Sequence, residues 1–118
     1  MDTTPLRIVR EPIRRSELAT LASEQFGDIV KAVVDVNRRV MAIGGELHSD
    51  EEALLLDDGS RQGDLWGINL YVAESSSDWI EYDSVINIRP GQGNRSRGVD
   101  DAETQQVIQD IVQSLVAE

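Results

Sequence analysis

Alternation in DIVKAVVDVNRRVMAIGG, Asp28 to Gly45, constrains the fold more than any other feature of this chain. Val30, Ala32, Val34 and Val36 alternate with Lys31 and Asp35. After Asn37-Arg38 the pattern resumes, with Met41, Ile43 and Leu47 set against Glu46 and His48. Period-two alternation means half-buried strands. A turn this short joins only antiparallel neighbours, because a parallel crossover needs a dozen residues or more. The pair Gly44-Gly45 predicts a bulge or a close backbone approach in the second strand.

The rest of the chain extends that hairpin. LRIVR, Leu6 to Arg10, reads as a short first strand stopped by Pro12. RSELATLASEQFGD follows as a helix with Ser16 as N-cap and Gly27 at its stop. SDEEALLLDDG is a short helix with Ser49 and Glu52 as a capping box and Gly59 at its end. LWGINLYV places Trp66, Ile68, Leu70 and Val72 on one face, with Gly67, Asn69 and Tyr71 on the other. ESSSD is a turn, and DWIEYDSVINIRP is a strand with Ile80, Tyr82, Ile86 and Ile88 on its apolar face. Asp101 to about Val116 is a helix with a stripe of Val107, Ile108, Ile111, Val112, Leu115 and Val116.

The order β-α-β-β-α-β-β-α predicts an α+β two-layer sandwich: a largely antiparallel sheet with helices packed on one face. The 118 residues form a single domain, 1–118. Asp35, Glu46, His48, Asn69, Glu81, Asp83, Asn87 and Arg89 would share the helix-free face.

Composition narrows the function classes. The formal net charge is −11, from 22 acidic against 11 basic side chains, which argues against a nucleic-acid partner. Without cysteine there is no disulfide, thiolate metal site or cysteine nucleophile. No apolar run reaches the roughly 20 residues of a membrane span, and MDTTPLRIVREP lacks a signal peptide's apolar stretch, so no membrane role and a cytoplasmic location are expected.

Over VKAVVDV, AIGGELHSDEEALLLDDGSRQGDLWGINLY and SVINIRPGQGNRSRG, the sequence resembles domain-of-unknown-function family 5674. The likeness runs from about Arg10 to Val116 and departs at Asn37 to Arg39. It implies a small prokaryotic protein and carries over no activity, cofactor or catalytic residue.

Three stretches could carry chemistry. In GELHSDEE, Glu46 and His48 share a strand face. A carboxylate beside the chain's one histidine could orient a general base, or His48 could simply bond locally. A lone histidine makes a poor metal site, and no metal or cofactor is expected. Asn69, in mid-strand, could bind a ligand or pair with Asn87. INIRPGQGNRSRGVDD, Ile86 to Asp101, brings Arg89, Asn94, Arg95 and Arg97 to a glycine-rich loop before a helix. Such loops can hold anions, but the arginines could equally neutralise the chain's own acids. Asp100 and Asp101 can satisfy the first-turn N–H groups of that helix. The expected function is therefore a small-ligand or partner-binding module for an anionic small molecule or acidic peptide. The alternative is a hydrolase or transferase with His48 as base and an arginine stabilising charge. A homo-oligomer joined through the open face is a third reading.

Overall fold

A computed structural model describes residues 5–74 and 77–117. Ser75 and Ser76 of the expected ESSSD turn, and Met1 to Thr4 of the stretch MDTTPLRIVREP, lie outside the described residues. The elements are β1 (Arg7–Val9), β2 (Ile13–Arg14), α1 (Arg15–Glu24), β3 (Ile29–Asp35), β4 (Val40–Ile43), α2 (His48–Asp57), β5 (Leu65–Tyr71), β6 (Ile80–Glu81), α3 (Ala102–Leu115) and β7 (Val116–Ala117). Five strands form one antiparallel sheet in the order β1-β4-β3-β5-β6, and β2 pairs with β7 in a small parallel one. The α+β class and the largely antiparallel sheet agree with the alternation in the sequence.

The first face of the sheet is the main core. Val30, Ala32 and Val34 of β3 pack with Met41, Ile43, Trp66, Ile68 and Leu70. Over them lie Leu18, Leu21 and Ala22 of α1 and Ile108, Ile111, Val112 and Leu115 of α3. Trp66 is therefore a core residue, as its spacing predicts.

The second face is not helix-free. α2 lies on it, with Leu55 fully buried against Val33, Val40, Ala42 and Leu65, and with Leu54, Ile8 and Ile86 around them. The buried positions of α2 are Glu51 and Leu55, one helical turn apart, so half of its inward stripe is a carboxyl group. Gly44 makes the crossing sharp. Its φ is +88°, and a Cβ there would lie 2.2 Å from the Pro5 carbonyl oxygen. The expected close approach is real, but it ends β4 at Ile43 instead of bulging it.

Three local expectations change. His48, not Ser49, opens α2, and Leu47 precedes it without a side-chain cap; likewise α1 starts at Arg15 with no cap from Ser16. Glu46 and His48 thus do not share a strand. The expected strand from Asp78 to Arg89 stops at Glu81. Ser84 Oγ accepts the Ile86 N–H at 3.3 Å, and Asn87 N–H bonds the Ser84 carbonyl at 3.1 Å, so side chain and backbone turn the chain instead of continuing the ladder. By contrast α3 is capped by Asp101, which accepts the Thr104 N–H at 3.0 Å, while Asp100, also expected there, accepts the Arg95 N–H of the preceding loop at 3.1 Å instead.

Candidate functional site

Leaving the sheet after Glu81, the segment 82–98 runs along the open edge of β5 and replaces a strand with side chains. Asn87 is fully buried. Its amide accepts the Gly67 N–H at 2.8 Å and donates to the Gly67 carbonyl at 3.0 Å and to the Arg97 carbonyl at 2.9 Å. Ser84 sits so close that a Cβ on Gly67 would lie 2.5 Å from the Ser84 Cβ, which accounts for glycine in mid-strand. Arg89 continues the substitution. Its guanidinium donates to the carbonyls of Leu65, Gln62 (2.7 Å) and Ile86 (3.2 Å), and stacks 4.4 Å from the Trp66 ring centroid. Asn94 donates to the carbonyls of Asn87 and Gly98, each at 2.8 Å, and accepts the Asp100 N–H at 2.8 Å. Three residues expected at a ligand thus hold the backbone.

The other two arginines of the loop differ. Arg95 gives its backbone N–H to Asp100 at 3.1 Å, while its exposed side chain has no partner among the described residues. Arg97 gives Nε to Asp83 Oδ1 at 2.6 Å, and its two terminal nitrogens have no partner among the described residues.

A second group of polar side chains gathers where α2 begins. Lys31, Asn69 and Glu81 stand in register across β3, β5 and β6, on the face opposite the main core. Asn69 Nδ2 donates to Glu81 Oε1 at 2.8 Å, and the Tyr71 hydroxyl lies 3.3 Å from both Glu81 oxygens. Above the row sits His48, with Nε2 2.8 Å from the Ile68 carbonyl oxygen. Because a carbonyl only accepts, Nε2 carries the proton and Nδ1 keeps its lone pair. Burial pushes the imidazole pKa below its usual value and outweighs the Ile68 carbonyl, which favours the charged ring. Asn69 Oδ1, also buried, has no hydrogen-bond partner at bonding distance among the described residues, although the Asn69 side chain lies near enough to the imidazole to favour its charged form slightly.

Of this group Lys31 and His48 line an open cleft of about 280 Å³, together with Leu47, Ser84, Val85 and Arg97, among others. The Lys31 ammonium is 5.1 Å from the Phe26 ring centroid and has no carboxylate partner among the described residues. Of the residues named from sequence, His48 and Arg97 line this cleft, while Asn69 stands next to Lys31 without lining it. Arg89 is held at Leu65, three residues or roughly 10 Å along β5 from the His48 contact at Ile68. Glu46 lines a different cleft, with Gln25, Gly44 and Asp50. His48 therefore has neither the Glu46 carboxylate nor the Arg89 charge beside it.

Sequence reasoning missed Lys31 and Glu51. Lys31 read as the polar half of an alternation, and only strand register shows that it faces Asn69. Glu51 is fully buried, and burial pushes its carboxyl pKa up to about 9 against the Gly45 N–H that bonds Oε2 at 2.9 Å. It is a neutral acid at pH 7.

Among the described residues no group of three or more His, Cys, Asp or Glu could hold a metal ion, and no helix is long and apolar enough to cross a membrane.

Together these features define a small α+β protein with a polar cleft between a helix start and an edge-capping loop. The chain belongs to the family described as protein of unknown function (DUF5674), which matches residues 7–115. No curated protein and no solved structure matches it.

Proposed function

We propose that this protein is a small-ligand binding module whose cleft between the start of α2 and the 82–98 segment takes a carboxylate group. One observation carries the reading: Lys31 and Arg97 line the same cleft, and the two terminal nitrogens of Arg97 are unengaged among the described residues. A planar guanidinium with two free nitrogens suits a carboxylate bidentately, and a lysine ammonium adds a point charge. Support comes also from the start of α2, where Leu47 supplies no side-chain cap and Leu47, His48 and Ser49 line the cleft. The site expected on the arginine loop thus moves to its far end, at Arg97, because Arg89 and Asn94 are occupied with backbone.

Titration of a short carboxylate such as propionate, followed by calorimetry, tests the reading. Arg97→Gln and Lys31→Gln should each weaken binding about tenfold, the size of one charge-assisted contact. Arg95→Gln, outside the cleft, should leave it unchanged. Equal affinity in all four proteins would contradict the assignment.

A further inference from the structure

A carboxylate, Asp83, stands at the edge of the cleft, bonded to one of the two cations that line it. Asp83 is bound to Arg97, its Oδ2 has no partner among the described residues, and Glu81 stands in register with Asn69 and Lys31. The two lining cations thus have Asp83 beside them, and Glu81 behind Asn69, inside a chain of net charge −11. A simple anion gains from Lys31 and Arg97 but is repelled by Asp83, Glu81 and the field of the whole protein. A phosphate dianion fares worse still. A molecule that carries both charges in one small frame is attracted at both ends.

The walls add a second requirement. Leu47 is 55% exposed and Val85 is 63% exposed, and both line this cleft. Their apolar surface is left in water beside the charged groups, where an aliphatic substituent would cover it. The volume, about 280 Å³, lies just below the roughly 300–1,000 Å³ typical of ligand sites, so the occupant is small.

We propose that the ligand is a small α-amino acid with an apolar side chain. Its carboxylate lies on Lys31 and the terminal nitrogens of Arg97, its ammonium on Asp83, and its side chain on Leu47 and Val85. This inference rests on the cleft being a carboxylate site, and the test separates the two.

Three matched molecules make the comparison: leucine, isocaproate, which lacks the ammonium, and isoamylamine, which lacks the carboxylate. Calorimetry should show leucine binding about tenfold or more tightly than isocaproate, as one added charge-assisted contact requires, and isoamylamine failing to displace leucine. Asp83→Asn, at a side chain 43% exposed, should invert the order. It removes the ammonium's partner and frees Arg97 Nε, so leucine weakens while isocaproate tightens. Isocaproate binding as well as leucine to the unaltered protein would overturn the amino-acid inference and leave the carboxylate site standing. Failure of all three to bind would overturn both.

Discussion

Glu51→Gln should abolish most of the protein's loss of stability between pH 7 and pH 9. In the folded chain burial holds the carboxyl pKa at about 9, against 4.5 when exposed. The folded state thus keeps a proton that the unfolded chain has given up. Across that window the unfolded state binds fewer protons, so stability falls as pH rises, by about 1.4 kcal/mol per pH unit. The contribution is complete below the exposed value and gone above the folded one. Glutamine has the same shape, stays neutral, and can accept the Gly45 N–H that Oε2 now accepts. Urea midpoints at pH 7, 8 and 9 should therefore decline in the natural protein and stay nearly level in the variant. His48 does not confuse the result, because its lowered pKa affects stability only below about 6.5. A variant that declines as steeply as the natural protein would mean that Glu51 is already ionised in the fold.

The second large effect is expected at Asn87. Replacing it with alanine leaves the Gly67 N–H, the Gly67 carbonyl and the Arg97 carbonyl without their side-chain partner. Each buried group left unpaired costs roughly 1–3 kcal/mol, so the loss should be on the order of 3–5 kcal/mol in urea unfolding. Asn87→Asp should be no better. It keeps an acceptor for Gly67 N–H but sets a carboxylate against two carbonyls. If either variant unfolds at the natural midpoint, the segment 82–98 does not cap β5 through this amide.

How much of this was legible in the sequence depends on which groups do the folding. β3, β4 and β5 were readable because their alternation is apolar on one side and polar on the other, and burial follows from that alone. α3 was readable from its stripe and from Asp101. The face of α2 was not. Its inward stripe is Glu51 and Leu55, and a glutamate reads as solvent-facing until burial neutralises it. The strand after Asp78 was overextended for a different reason. Ile80, Tyr82, Ile86 and Ile88 keep the spacing of a strand, while the side chains of Ser84 and Asn87 take the backbone bonds that would have continued it.

The site divides the same way. His48, Asn69 and Arg97 stood out as polar groups in unusual places. Nothing local distinguished Arg97, which borders the cleft, from Arg89, which holds Leu65. Both belong to one arginine- and glycine-rich stretch, and only the path of the loop separates them. Lys31 becomes visible only when β3 and β5 are placed in register.

The most direct test of the account is an amide chemical-shift titration with leucine on the intact chain. Saturable shifts are predicted at His48, Ser49, Ser84, Val85 and Arg97, weakened at equal ligand concentration by Arg97→Gln. Shifts centred instead on Gln92 to Arg95, or no saturable shift around His48 and Arg97, would contradict the placement of the binding site in this cleft.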